Sequence, residues 1–430
     1  MNSRNPQSVC IVTPSYLSST PRVVKEADAL WAAGFGVHVV FSQGNLEALR
    51  QHDASLLSEK LWTWSTVGWS SARKQERWLY KKSKLRFHLS ARLPLLWKTG
   101  RFIGHGESRV YKELCELAAT SPAQIYIGHY PAGLAAAAYA AEQNSALLGY
   151  DAEDLHSAEG TTPQGRKHAT RAGIIERRYL SRCVHISTVS ELVASELRNR
   201  YGIQKPLVLH NVFPLAELQK LDGEIKDRVD KSVPSLYWYS QTLGKGRGIE
   251  DVIKATGLLR HRFELHLRGA ASDSTKAYFR RLSKTCGVEN AVFFHDLVSP
   301  DELLSRTCEH DVGLSVDQPI TRSRDLAIPN KLFFYLLAGL AVVATSITGQ
   351  QSVMDECSDV GFVYKPGDYE GLADGLNRLL SDHAALLACK QAARKAAETR
   401  WNWETESRKL VKSILIAFQE SSQQTDAVLS

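Results

Sequence analysis

A lysine in the first turn of a helix opposes the positive end of the helix dipole. The stretch Pro329-Asn330-Lys331, followed by the apolar run Leu332 to Ala338, places one there. Pro329 and Asn330 suit a helix entry, and Gly339 suits a left-handed stop. A bound anion would offset Lys331, so this helix start reads as a phosphate site. Two more glycine-bearing loops lie between an expected strand and an expected helix. Gly244-Lys245-Gly246-Arg247-Gly248 combines two cations with backbone that an anion can approach closely. It lacks the Gly-Lys-Ser/Thr ending of a P-loop, and a basic turn explains it equally well. Ser346-Ile347-Thr348-Gly349-Gln350 offers hydroxyls and amides without charge, as a plain loop also would.

The first half of the chain holds a different set. His129 closes a short apolar run, and Asp151, Glu153, Asp154 and His156 follow another. Ligands of parallel sheets bind beyond the carboxyl ends of the strands, where these residues fall. Alternating acids such as Asp151 and Glu153 can ligate a metal, but no further ligands accompany them. Ligand contacts and helix capping are the two readings left for them. Ser15, Ser18, Ser19 and Thr20 occupy the first strand-to-helix loop and either line a ligand or cap the helix. Arg322 and Arg324, beside Asp325, either reach a ligand or form a solvated loop.

The elements that must hold these groups follow from periodicity. Short β-branched runs at 9–13, 37–41, 125–127, 147–150, 184–189 and 207–210 alternate with helical patterns. The clearest helix covers 21–33, with Thr20 as its cap, Pro21 in its first turn and Gly34 at its end. Its apolar positions Val23, Val24, Ala27, Leu30 and Trp31 share one face. The second half repeats the pattern, with strands at 236–239, 264–268, 291–295, 312–316, 342–345 and 361–364. Helices are expected there at 249–260, 274–286, 300–307, 331–338, 369–380 and 384–398. Alternation of this kind gives parallel sheets covered by helices on both faces. At 430 residues the chain is long enough for two such domains. Residues 1–213 form the first and 214–400 the second. An amphipathic helix over 401–419 closes the chain onto the first, ahead of a frayed 420–430 tail.

Charge is unevenly distributed. Residues 60–101 carry eleven Lys or Arg against Glu76 alone, a local +10 in a chain of net +7. The same window holds Trp62, Trp64, Trp69, Trp78 and Trp97. Cations interleaved with indoles suit a membrane interface, and equally a solvated basic face over a Trp-rich core. No nucleic-acid motif accompanies the patch, so nucleic acid is not an expected partner. The longest near-apolar run, 332–344, is too short for a bilayer span, and no secretory signal opens the chain. Seven scattered cysteines point to reduced thiols in a cytoplasm, and against a disulfide framework or a zinc site.

Several of these strings resemble the family-four glycosyltransferases. IPNKLFFYLLAGLAVVAT (328–345) is similar to the family's donor-site helix and following strand. YWYSQTLGKGRGIEDVIKA (237–255) is similar to its first C-terminal-domain strand, glycine loop and helix. FFHDLVSPDELLSRTCEHDVGLSV (293–316) resembles its nucleotide-side segment. TPRVVKEADALWAAGFGVHVV (20–40) resembles the opening unit of the N-terminal domain. IGHYPAGLAAAA (127–138) and YDAEDLHSAEG (150–160) are similar to the paired cleft segments, and WNWETESRKL (401–410) to the closing helix. The resemblance runs over about 400 residues in the family's order.

The resemblance implies the GT-B architecture: two doubly wound, Rossmann-like α/β domains facing across a cleft. It implies a retaining transfer of sugar from a nucleotide sugar, without a metal or other cofactor. Arg247, beside Gly246, and Lys331, beside Asn330, match the family's phosphate contacts. Thr348 and Gly349 fall where it touches the diphosphate or the sugar. His129 matches the cleft histidine, while Ser15, Asp151 and Glu153 fall on the acceptor side. One departure stands out. The family's Glu pair falls on Leu326 and Phe334, so both carboxylates are absent, and Asp325 is the neighbouring acid that can substitute. The expected protein is a cytoplasmic enzyme at the inner membrane face, extending a surface glycan on a lipid-linked or polymeric acceptor. The rivals are a non-catalytic GT-B protein that binds a nucleotide sugar or a partner, and a nucleotide-sugar epimerase.

Overall fold

The computed structural model describes residues 7–92, 97 and 102–429 of the chain. Residues 93–96 and 98–101 of the basic, Trp-rich segment lie outside the described residues. The chain divides into two compact units, Met1–Leu209 with Ser407–Ser430, and His210–Glu406.

The first unit contains β1 (Ser8–Val12), β2 (Gly36–Gln43), β3 (Thr63–Gly68), β4 (Ile125–His129), β5 (Leu147–Ala152), β6 (His185–Thr188) and β7 (Leu207–Val208). They form one parallel sheet in the order β3-β2-β1-β4-β5-β6-β7. The order reverses between β1 and β4, which makes their carboxyl ends the crevice where a ligand has room. Val9 to Val12 are wholly buried, as a central parallel strand requires. The alanine-rich helix Tyr130–Gln143 packs closely on this centre. Gly133 permits that, because a Cβ there would stand 2.6 Å from the Val12 carbonyl oxygen.

The second unit contains β8 (Ser235–Thr242), β9 (Glu264–Ala270), β10 (Val292–His295), β11 (Val312–Ser315), β12 (Ala341–Thr345) and β13 (Gly361–Tyr364). Its parallel order is β10-β9-β8-β11-β12-β13, with the switch between β8 and β11. Leu236, Trp238, Leu265, Val312, Leu314 and Val343 anchor its core. Helix Asn330–Ala338 is buried from Lys331 to its end.

Some local expectations change. β3 has no apolar run: Thr63 and Trp64 are exposed on an edge strand, so periodicity passes over it. In helix Pro21–Ala32, Arg22 and Glu26 are fully buried while Trp31 is 41% exposed, so the apolar periodicity gives only part of the packed face. Thr20 does not cap that helix with its side chain; its hydroxyl donates to the Tyr16 carbonyl at 2.9 Å. The segment expected as a loop at 346–350 already enters helix Thr348–Glu356. Arg322–Leu326 is a short helix, and the closing helix runs from Trp403 to Leu429 instead of fraying at Glu420.

Candidate functional site

In the first unit, parallel pairing sets His129 at the end of β4 beside Asp151 on β5. Helix Pro21–Ala32, which leaves the neighbouring β1, brings Arg22 and Glu26 one turn apart. Arg22 grips both Asp151 oxygens, through Nε and Nη2 at 2.7 Å each, and donates from Nη1 to the Leu209 carbonyl at 2.7 Å. Ser187 Oγ donates to the same carboxylate at 2.6 Å. His129 Nδ1 lies 3.1 Å from Glu153 and 3.4 Å from Asp151, while Nε2 lies 3.2 Å from Glu26. Arg22, Glu26, His129 and Asp151 are each at most 1% exposed. Charges this deep persist only when paired, and the two-pronged guanidinium–carboxylate contact is the strongest pairing available.

The charge states follow from that packing. Burial opposes the His129 imidazolium, but the Glu26 charge and the hydrogen bonds the ring donates to Glu153 and Glu26 outweigh it and lift His129 to about 10. Burial pushes the Glu26 carboxyl up, and the Asp151 charge adds to this. Burial opposes the Asp151 charge too, but Arg22 and His129 hold its carboxyl below the ordinary range. His129 is thus a buried imidazolium with a carboxylate facing each ring nitrogen. Directly after it, Tyr130 adopts φ +61°, a backbone state that costs a non-glycine residue about 1–3 kcal/mol. Strain at this strand end marks a place the surrounding packing over-determines.

The predicted acceptor-side residues separate here. Both Asp151 oxygens are engaged with Arg22 and Ser187, so Asp151 acts as the hub that holds the cluster. Glu153 keeps 13% of its side chain exposed and also accepts from the Tyr130 hydroxyl at 3.4 Å. Ser15 is half-buried in the loop after β1. Glu26, His129 and Asp151 have donor atoms close enough together for a metal ion, but the Arg22 fork already counters the Asp151 charge.

In the second unit, the loop after β8 meets the end of β11 at the switch point. Gly248 has φ +81°, and a Cβ there would stand 2.0 Å from the Val316 carbonyl oxygen, so no other residue fits. Gly246 has φ +70°, and its N–H donates to Glu250 at 3.1 Å. Arg247 folds back onto its own strand, donating to Ser240 Oγ at 2.7 Å and the Thr242 carbonyl at 3.2 Å. Lys245 lies over the Tyr278 ring at 4.0 Å. Lys331, 8% exposed, has Nζ 3.2 Å from Asp317 and 4.9 Å from the Trp238 ring centre. The anion demanded by a cation in the first turn is therefore supplied by the chain itself, from the segment beyond β11. Asn330 is exposed at the head of the same helix.

Asp325 and Thr348 come together differently from the expectation of separate roles. Asp325 Oδ1 accepts from the Thr348 amide at 3.0 Å and its hydroxyl at 2.9 Å, and Oδ2 accepts from Arg322 at 3.1 Å. A carboxylate at a helix N-terminus is stabilising, so Asp325 is held as the partner of helix Thr348–Glu356. Gly349 lets that turn approach, because a Cβ there would stand 2.3 Å from the Ala327 carbonyl oxygen. The positions of the two absent carboxylates are filled by packing. Leu326 is 1% and Phe334 5% exposed, with the Phe334 ring 4.7 Å from Phe213 and 5.3 Å from Tyr239. Arg22, Glu26 and Asp317 escaped the sequence reading. The signals available were the i, i+4 charge pair in the first helix and an acid two residues beyond a strand.

Residues 236–382 match the family model described as glycosyl transferases group 1. No curated protein matches the sequence. Among solved structures, the chain resembles sucrose-phosphate synthase from Thermosynechococcus elongatus, with TM-score 0.68 and 14% identity, covering 96% of this chain and 100% of that one. It resembles Anabaena HepE in complex with UDP and glucose, with TM-score 0.65 and 13% identity over 95% and 99% of the two chains. It also resembles WaaG, a glycosyltransferase involved in lipopolysaccharide biosynthesis, with TM-score 0.58 and 15% identity over 94% and 98%. At these identities the structural likeness speaks for the fold. The chain thus has the GT-B fold of these structures, and residues 236–382 of its second unit match the group 1 glycosyl transferase model.

Proposed function

We propose that the chain transfers a sugar, with retention, from a nucleotide-sugar donor to a glycan or lipid-linked acceptor at the cytoplasmic face of the membrane, in surface polysaccharide synthesis. The observation that carries the donor reading is the β8–β11 switch point, where the Gly248 turn meets Val316 and Lys331 pairs with Asp317 within the family-matched segment. Breaking the bond from the anomeric carbon to the diphosphate leaves negative charge on phosphate oxygens. Fixed cations and helix N-terminal amides stabilise that charge in a partly dry site. Lys331, held in place by Asp317, takes the diphosphate in exchange for the carboxylate. Arg247 and the Gly246 to Gly248 backbone supply the second contact. HepE's complex with UDP and glucose supports a uridine donor as the first to try.

The membrane part rests on helix Arg77–Arg92. Trp78, Leu85 and Leu89 are 70%, 62% and 51% exposed along one face, with Lys81, Lys82 and Lys84 exposed beside them. That is the composition of a helix lying in an anionic interface. No helix among the described residues is long and apolar enough to cross a membrane. Flotation with anionic liposomes at low salt tests this part, and a protein left at the bottom of the gradient ends it.

The test of the whole reading is a panel of UDP-, GDP-, ADP- and CMP-sugars by thermal shift, followed by nucleotide-release assays on the hits. A donor that stabilises the chain and is turned over supports the transferase. The buried Phe334 and Leu326, together with the engaged Asp325, favour one second reading, a GT-B protein that binds donor without turnover. Stabilisation without nucleotide release is its signature.

A further inference from the structure

Beyond β5 the first unit holds a second cluster of titratable groups. His156 is 4% exposed, yet neither of its ring nitrogens makes a hydrogen bond. Its Nδ1 lies 3.6 Å from Glu159 Oε2, too far for one. His168, on helix Pro163–Tyr179, has Nε2 3.8 Å from the same oxygen. Its other nitrogen, Nδ1, lies 2.5 Å from Glu107, whose second oxygen accepts from Arg171 at 2.5 Å. One donor atom from each of His156, Glu159 and His168 falls within 4.8 Å of the others.

We propose that His156, Glu159 and His168 bind a divalent first-row transition ion, zinc by preference, with the fourth position left to water or a small ligand. Two imidazoles and one carboxylate suit zinc, which is four-coordinate with bonds of about 2.0–2.2 Å. Tetrahedral bonds of that length set neighbouring donor atoms roughly 3.3 Å apart. The separations of 3.6 and 3.8 Å close to that value with shifts of a few tenths of an ångström. Glu107 completes the case. By accepting from Nδ1–H of His168 it directs the Nε2 lone pair toward Glu159, the arrangement that orients metal-bound histidines. The Glu26–His129–Asp151 group offers no such opening, since Arg22 covers both Asp151 oxygens.

An ion here ties the turn at His156–Ala158 to helix Pro163–Tyr179. The His156 ring lies 5.6 Å from the Tyr130 ring, and the Tyr130 hydroxyl donates to Glu153. The ion therefore steadies the loop that presents Glu153 to His129. The test uses the full-length protein, stripped with a chelator and titrated with Zn²⁺ alone and with Co²⁺ alone. The expected result is one ion per chain, with a tetrahedral Co²⁺ spectrum free of thiolate charge-transfer bands. Glu159→Gln and His168→Ala should each weaken Zn²⁺ binding at least about tenfold, the low end for losing even a supporting group. The Glu159 side chain is 33% exposed, so the metal-free melting temperature of Glu159→Gln should match the parent, whereas His168→Ala also removes a partner of the buried Glu107 and should melt lower. No stoichiometric binding, thiolate bands, or affinity unchanged in both variants overturns the proposal.

Discussion

Replacing Arg22 with Met keeps an unbranched apolar stem and removes the guanidinium with its charge. The loss is large because no other side chain among the described residues bonds to both Asp151 oxygens. Three hydrogen bonds of 2.7 Å vanish, and the Glu26 carboxylate loses a cation 3.3 Å away. Breaking a fully buried pair by removing one partner costs about 3–5 kcal/mol, because the other charge stays buried. For a unit of this size, each kcal/mol moves the melting temperature by about 2–4 °C, so a drop of about 6–20 °C follows. Hydrogen exchange locates the damage: β4 and β5 should lose protection, while β11 and β12 in the other unit serve as the internal control. Adding Asp151→Asn removes the stranded charge, so the double variant should be more stable than the sum of the singles predicts. A loss below about 1 kcal/mol, or simple additivity, would refute the picture of a paired buried network.

Three further outcomes follow from the same geometry. Gly246→Ala and Gly248→Ala both place a side chain at positive φ, which costs about 1–2 kcal/mol. Only Gly248→Ala also meets a carbonyl oxygen at 2.0 Å, so it alone should abolish donor-induced stabilisation; equal effects would contradict the close approach at the switch point. His129 is raised from 6.5 to about 10, so the folded state binds the extra proton. Its contribution is complete below about 6.5 and is lost as pH rises through about 10. Urea unfolding across that range should show declining stability that flattens in His129→Gln, and parallel profiles would count against the buried imidazolium. Phe334→Glu sets a carboxylate between Phe213 and Tyr239 and should destabilise by at least about 3 kcal/mol without raising turnover. A gain in nucleotide release would instead show that the missing carboxylate can be restored there.

The parallel sheets were legible because most strands carry apolar or β-branched residues between helical patterns, and twelve of the thirteen strands among the described residues announce themselves in that way. β3 does not, since an edge strand with exposed Thr63 and Trp64 carries no such run. Helix Pro21–Ala32 was legible as a helix but not as a packed surface. Apolar periodicity ignores Arg22 and Glu26, whose partners lie more than a hundred residues away at His129 and Asp151. Lys331 was legible as a cation needing an anion, yet local spacing does not name Asp317, which arrives from the segment beyond β11. The same limit applies to Asp325. Its role as partner of Thr348 depends on how the β11 and β12 segments meet, which no window of sequence contains.

The central claim is that the β8–β11 crevice binds the donor diphosphate through Lys331. Isothermal titration of UDP, GDP, ADP and CMP into the parent protein and into Lys331→Ala tests it most directly. At least one nucleotide should bind the parent, and that binding should fall by at least about tenfold in Lys331→Ala, the equivalent of one charge-assisted contact of about 1.4 kcal/mol or more. Undiminished binding of that nucleotide to Lys331→Ala would contradict the assignment.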